Sequence, residues 1–408
     1  MPSHDNYHAA VLSDLHLRAG LHDDFVFDEE FAALLDELWA DGVRELVLNG
    51  DTFEFPATWP ETPIHPNSTL GFTEQESVER MAGIGEGHGE VLEALRRWIK
   101  DGGTLVFLPG NHDWELHFQG VRDRLAQMLG DPQQLRHRHI LHGAPYLPLQ
   151  GVHIEHGHQL VHDQNAFLHP LAPIRIDPLG GPPRMEQNAG SYLVRTLVNP
   201  IEQTFPFINN IRPFGKVKWI GPHRHALKLF SILSDATRKG LEDGRIPRRF
   251  LDLVLSNGPF RQIFGAGRAM RWRRSGRRQE EVVPELGSVL ADDSTHELRR
   301  AAKRRLQHQK STRFVIYGHS HETVNVNDAP NRVFARHGRA YLNPGSWIPH
   351  KEIPDDHEGM DPDELIAGSD YPFQLSFVRV RARRGEVEAR TENFAQGEVW
   401  LGAHKKAS

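Results

Sequence analysis

The sequence predicts an α/β protein: a sheet of parallel strands flanked by helices, interrupted by a large helical insertion. Three observations predict it. Short apolar runs alternate with segments of helical period over the first 155 residues. Most runs end in a polar cluster rich in Asp, His, Asn and Gly, where open α/β sheets carry their ligands. The alternation stops at residue 163 and resumes after residue 310.

The elements follow in order. His8–Asp14 is a short apolar run and reads as a buried strand with Asp14 at its end. Phe27, Phe31, Leu34, Leu35, Leu38 and Trp39 share one face of a helix that stops near Gly42. Glu45–Asn49 is a second strand, running into Gly50-Asp51. Residues 74–101 read as helical, with Gly83, Gly85, Gly87 and Gly89 weakening the middle. Thr104–Leu108 is a third strand, followed by Pro109-Gly110-Asn111-His112-Asp113 and a helix to about Leu129. Val152–Glu155 is a fourth, leading into His156-Gly157-His158. Beyond the insertion, Phe314–Tyr317 and Ala340–Asn343 are strands. Gln374–Arg381 and Gly385–Thr391 alternate apolar with polar residues and suit an antiparallel hairpin closing the sheet.

Composition narrows the chemistry. The 408 residues are enough for a catalytic core with an insertion or second domain. A net charge of −6 gives no global drive toward nucleic acid or an anionic membrane. Cysteine is absent, so any metal must be held by His, Asp, Glu or Asn. The N-terminus lacks the apolar run of a secretory signal, and no apolar stretch is long enough to span a bilayer. A cytoplasmic protein, with peripheral membrane contact as a variant, is the expectation.

Residues 163–310 read as a helical insertion forming a cap, between a core of residues 1–162 and its continuation at 311–408. Prolines crowd its first part, and Ala226, Leu229, Phe230 and Leu233 mark an amphipathic helix. Six arginines and no acid lie between Gly265 and Arg278. They suit either a solvated helix face or contact with phosphate or a membrane surface, the latter through residues 223–278 with Phe264, Met270 and Trp272.

The strand ends form a constellation: Asp14-Leu15-His16, Gly50-Asp51-Thr52-Phe53-Glu54, Gly110-Asn111-His112-Asp113, His156-Gly157-His158 and Gly318-His319-Ser320-His321. Oxygen and imidazole donors without thiolates suit Mn, Fe or Zn. In this order the five blocks resemble those of the calcineurin-like metallophosphoesterases, D-x-H, G-D-x-x-[DE], G-N-H-[DE], H beside glycine and G-H-x-H. Asn343-Pro344-Gly345-Ser346 matches a feature that follows the last block. The resemblance covers residues 8–160 and 311–347 and implies a four-layer α/β/β/α sandwich.

It also implies a site. Asp14, His16, Asp51 and His321 would hold one divalent ion, and Asp51, Asn111, His156 and His319 the other, with Asp51 bridging. Mn2+ is the first choice of metal, with Fe or Zn as alternatives. A bridging carboxylate holds two ions roughly 3.5–4 Å apart, the spacing used for in-line displacement at phosphorus by a bridging hydroxide. His112 would protonate the leaving oxygen or stabilise the phosphoryl charge, and Asp113 would orient that imidazole. Glu54 either orients ligands or faces solvent. His158 reads as a satisfied loop histidine, with support of a ligand as the alternative. His22, His117, His153 and His162 read as structural.

The block Gly50-Asp51-Thr52-Phe53-Glu54 is similar to that of the UDP-2,3-diacylglucosamine hydrolases, which cleave a pyrophosphate and carry an acyl-binding helical cap. This points to a phosphorylated small-molecule or lipid-linked substrate, although that subfamily often has arginine where His112 stands. A metal-dependent nuclease and a non-catalytic scaffold of the same fold are the rival readings. Basic residues not interleaved with aromatics argue against the first, and the full set of ligands against the second.

Overall fold

Burial on alternate faces of three short strands, Asn6–Leu12, Glu45–Asn49 and Thr104–Leu108, fixes the architecture. The computed structural model describes residues 6–212 and 294–404, apart from 21–22, 61, 162–164, 203–205, 332–333, 335–336, 353–364 and 366. Among these the strands are β1 (Asn6–Leu12), β2 (Glu45–Asn49), β3 (Leu70–Thr73), β4 (Thr104–Leu108), β5 (His137–His139), β6 (Val152–Ile154), β7 (Ile174–Arg175), β8 (Arg184–Glu186), β9 (Ile211–Arg212), β10 (Phe314–Ile316), β11 (Thr323–Val324), β12 (Ala340–Pro344), β13 (Lys351–Glu352), β14 (Tyr371–Arg383) and β15 (Glu386–Val399). The α-helices are α1 (Asp28–Ala40), α2 (Glu74–Gly87), α3 (Gly89–Lys100), α4 (Gln119–Met128), the short α5 (Ala189–Leu193) and α6 (Asn199–Glu202), and α7 (Ser294–His308).

The fold is mixed α/β. The larger sheet runs β15-β14-β1-β2-β4-β5, with β1, β2, β4 and β5 parallel and the β14–β15 hairpin antiparallel beside β1. The second sheet runs β11-β12-β10-β6, its last three strands parallel. In the larger sheet Ala10, Leu12, Leu46, Leu48, Leu105 and Phe107 join a core with α1 to α4. The alternate residues Ala9, Val11, Val47, Val106 and Leu108 join a second core with Val152, Ile154, Phe314, Ile316 and Leu342 of the other sheet. Burial on both faces is why these strands read as unbroken apolar runs rather than alternating ones.

The far face of the second sheet, with Val315, Tyr317 and Tyr341, packs on Leu298, Ala301, Ala302 and Leu306 of α7. Helix α7 therefore lies against the core sheet, although the sequence places it inside the insertion. The described remainder of the insertion, residues 165–212, is not purely helical: β7 and β8 form a three-stranded sheet with β3, and β9 pairs with β13. Single short strands of two or three residues carry too little periodicity to be read beforehand. The expected helix at 226–233, the apolar runs at 250–264 and the arginines of 268–278 lie outside the described residues. No helix among the described residues is long and apolar enough to cross a membrane.

The helix expected over 74–101 is two helices. Thr73 and Glu76 start α2 with reciprocal side-chain caps, and the chain breaks at His88. His88 is buried, with Nδ1 3.1 Å from Asp28 and Nε2 3.0 Å from Asp23. Burial disfavours its charged form, but the two aspartates push its pKa up to about 9. A histidine raised this way adds stability that is complete below its unfolded value of about 6.5. That stability is lost as pH rises through about 9. Thermal unfolding of wild type should therefore fall more steeply than that of His88→Asn between these pH values. Parallel pH profiles for the two proteins would reject the assignment.

Candidate metal centre

Strained backbone marks the site before any side chain is considered. Asp14, His16, Asp51, His319 and His321 all have left-handed φ, at 57°, 53°, 50°, 65° and 56°. That region is sparsely populated outside glycine and costs on the order of 1–3 kcal/mol per residue unless the surroundings enforce it. Here they do. Asp14 N donates to Gly50 O at 3.1 Å and His16 N to Asp51 O at 2.9 Å, tying the two loops together. Ser346 Oγ donates to Asp14 O at 2.8 Å, and Asn343 Nδ2 to Gly318 O at 2.9 Å, so the block at 343–346 clamps the loops that carry Asp14 and His319. Gly50 and Gly110 are among the glycines that close approach requires. A β-carbon at Gly50 would strike the His156 ring, and one at Gly110 the Asp51 carboxylate.

The structure brings all seven expected ligands together. Asp14, His16 and His321 form one cluster, Asp51, His156 and His319 a second, and His16, Asp51 and His112 link them. His321 Nε2 is 3.2 Å from Asp14 Oδ1 and 3.2 Å from His16 Nε2. His156 Nε2 is 3.2 Å from Asp51 Oδ2 and 3.3 Å from Asn111 Oδ1. Asp51 also holds its neighbour in place, its Oδ1 accepting from His112 N at 2.8 Å.

The donor set fits a cation on chemical grounds. His156 Nδ1 is 2.8 Å from the Asn49 carbonyl, which only accepts, so Nδ1 carries the proton. Its Nε2 then faces two oxygen acceptors, a place that only a proton or a cation can fill. His16 repeats the pattern, with Nδ1 2.8 Å from Glu54 Oε2 and Nε2 turned inward. Lone pairs and carboxylate oxygens converging in a buried space repel one another unless a proton or a metal lies between them. The titration behaviour agrees. Burial alone would raise the Asp51 carboxyl, but the imidazoles of His156, His112 and His16 hold it well below the usual range. Burial disfavours the His156 cation, yet Asp51 and Asp14 push its pKa up to about 9.

The oriented imidazole differs from the expectation. Asp113 does not turn toward His112. Its carboxylate accepts from the backbone N–H of Gly110 at 2.5 Å, Thr52 at 2.8 Å, and Asp51 and Phe53 at 3.3 Å. It clamps the two loops, because a short aspartate at the start of a turn reaches main-chain donors before it reaches a neighbouring ring. Glu54 takes the orienting place instead. It is buried, with Oε2 2.6 Å from His112 Nδ1 as well as 2.8 Å from His16 Nδ1. Burial opposes charge on His112, but Glu54 and Asp51 push its pKa up to about 10. Asp113→Ala should lose roughly 3–5 kcal/mol of stability, since several buried N–H groups lose their shared acceptor. Denaturant unfolding measures this. An inactive variant of full stability would return Asp113 to the chemistry.

The remaining histidines separate cleanly. His117 is satisfied at both nitrogens, by Trp114 O at 2.9 Å and His142 N at 2.7 Å. His153 Nε2 pairs with Glu155 Oε1 at 2.9 Å. His158 is not a satisfied loop residue. It is buried among Trp114, Phe167, His156 and His319, and neither ring nitrogen has a hydrogen-bond partner among the described residues. His22 and His162 lie outside the described residues. One residue escaped the sequence reading altogether: Arg212, whose guanidinium meets His321 Nδ1. No motif surrounds it, so nothing in the sequence marked it.

No family model and no curated protein matches the chain. Among solved structures it is similar to a dimetal phosphatase from Danio rerio, at 12% identity and a TM-score of 0.32, covering 95% of this chain and 99% of that one. At that distance the site rests on its own residues.

Proposed function

We propose that this chain is a dinuclear metal-dependent hydrolase of phosphoester or pyrophosphate bonds, with a calcineurin-like fold ordered helices, sheet, sheet, helix and a cap contributed by the insertion. One observation carries the reading: two acid–imidazole clusters are linked by the buried Asp51–His16 seam, with inward ring nitrogens facing carboxylate and amide oxygens. Asp14, His16, Asp51 and His321 would hold one ion and Asp51, Asn111, His156 and His319 the other. Two such ions would supply positive charge to acidify a water and neutralise a phosphoryl group.

The chain's own residues supply the rest. Glu54 fixes the rings of His16 and His112 through one carboxylate, so the ligand and the acid keep a set relation. His112, protonated on the Glu54 side, presents its other nitrogen for transfer to the leaving oxygen. The substrate we propose is amphiphilic, a nucleotide-lipid or a similar phosphate. The support lies in the described start of the insertion, where Leu168, Leu171, Ile174, Ile176 and Leu179 are exposed. That segment begins at Phe167, whose ring stacks on Trp114 and meets His158 edge-on, beside the metal ligands.

Metal removal tests the proposal. Protein stripped with EDTA should not hydrolyse bis-p-nitrophenyl phosphate, and added Mn2+ should restore turnover with about two equivalents bound, the stoichiometry of a two-ion site. Fewer than one equivalent bound, with no turnover of mono-, di- or pyrophosphate substrates, would sink it. With metal bound, turnover of a nucleotide-lipid pyrophosphate but not of the small ester would locate selectivity in the cap.

A further inference from the structure

Residues 168–186 turn their acids inward and their apolar side chains outward. Leu168, Leu171, Ile174, Ile176 and Leu179 are 44–87% exposed, whereas Asp177 and Glu186 are buried. Asp177 Oδ2 lies 3.2 Å from His65 Nε2 and 3.3 Å from Arg184 Nε. Glu186 accepts from Leu168 N at 2.6 Å and lies 3.0 Å from His169 Nδ1. The main chain is closed in the same way. Pro170, Pro173, Pro178, Pro182 and Pro183 have no N–H to satisfy. Ala172 N donates to His169 O at 2.9 Å, Leu179 N to Asp177 Oδ1 at 2.8 Å and Gly180 N to Asp177 O at 3.1 Å. Strand β7, at the edge of its three-stranded sheet, pairs with β8. Much of this backbone therefore needs no water, the condition for entering a lipid phase.

We infer that residues 168–183 dock this protein on a lipid bilayer, with the aliphatic side chains entering the interface and Arg175 meeting an anionic headgroup. The inference is independent of the dinuclear reading above. Large exposed apolar patches mark places where a protein meets something other than water. Area and charge favour a bilayer over a second protein. The exposed side chains offer several hundred Å2, short of the roughly 800 Å2 per partner that a stable protein complex buries. Arg175 is partly exposed and has no ion-pair partner among the described residues. No exposed acid shares the surface of 168–183, in a chain whose net charge is −6. A cation among aliphatic side chains suits an anionic headgroup above acyl chains. The segment follows directly on Phe167, whose ring stacks on Trp114. Docking therefore holds the metal ligands near the bilayer, where an amphiphilic phosphate resides.

The test exploits the absence of cysteine. Ile176→Cys, labelled with an environment-sensitive fluorophore in the metal-free full chain, is mixed with vesicles of phosphatidylcholine, with and without phosphatidylglycerol. The emission should shift to the blue and be quenched by brominated acyl chains, at lower lipid concentration when phosphatidylglycerol is present. The same label on Leu135→Cys, at a site 75% exposed and outside the segment, should not respond. In co-sedimentation, the double variant Leu171→Gln, Leu179→Gln should bind vesicles about tenfold or more weakly than wild type, having lost two apolar side chains from the interface. Arg175→Gln should lose the preference for phosphatidylglycerol. All three side chains reach solvent, so thermal unfolding of these variants should match wild type. An Ile176→Cys label that neither vesicle shifts overturns the inference. So does an equal response at Leu135→Cys, or sedimentation unchanged in the double variant. A shift that needs no lipid and grows with protein concentration overturns it in favour of a second copy. A preference for phosphatidylglycerol retained in Arg175→Gln overturns the headgroup assignment. No arm uses a metal ion, so each of these failures leaves the dinuclear reading intact.

Discussion

Replacing Asp51 with asparagine should lower turnover on the order of 10³-fold or more while leaving the fold standing. On the dinuclear reading proposed above, losing the one charged ligand shared by both ions would remove several kcal/mol of charge stabilisation, at about 1.4 kcal/mol per factor of ten. Asparagine is chosen because it keeps an oxygen for His112 N, which Asp51 Oδ1 now accepts at 2.8 Å. It deletes only the charge that His156 Nε2 faces at 3.2 Å and His16 Nε2 at 3.9 Å. Metal analysis should show weaker binding of both ions, since the carboxylate sits in the cluster with His156 and His319 and in the group that links it to His16. Thermal unfolding of the stripped protein should fall, because the imidazoles of His156, His112 and His16 stabilise the Asp51 carboxylate in the fold and would lose their buried counter-charge. An Asp51→Asn protein that keeps wild-type turnover would show that the clusters are not catalytic.

His112→Gln should cost about 10²–10⁴-fold in turnover with metal uptake unchanged, the usual range for a general acid. The loss should depend on the leaving group. An alkoxide needs the proton and should suffer the full effect, whereas p-nitrophenolate departs readily without it and should suffer least. The imidazole lies beside Glu54 at 2.6 Å, its ring centroid 4.9 Å from that of His16. Because Glu54 and Asp51 hold its pKa up, the protonated form is the resting one, and activity on an alkyl ester should fall on the alkaline side of the profile. That limb should vanish in the variant. Equal losses on both esters would assign His112 to phosphoryl-charge stabilisation instead. Lost metal would make it a ligand, as its place in a cluster with His16 and Asp51 allows.

Much of this centre was legible in the chain. The strand-end blocks named Asp14, His16, Asp51, Asn111, His156, His319 and His321, and the structure gathers all seven. The apolar runs also fixed β1, β2, β4, β6, β10 and β12 to within a few residues, because a strand buried on both faces writes its burial into consecutive residues. Side-chain partners across the chain were not legible in that way. Glu54 rather than Asp113 meets His112, since reach and direction from two separate loops decide it. Helix α7 carries the same helical period whether it caps the site or packs on the second sheet, and only Leu298, Ala301 and Leu306 in the shared core tell which. His16 and His321 meet across 305 residues, and Arg212 reaches His321 across 109. Local periodicity and turn chemistry by themselves determined the strands, the ligand loops and the donor types. Strand order, and with it which loops share one end of the sheet, brought those donors to hydrogen-bond distance, and that belongs to the tertiary structure alone.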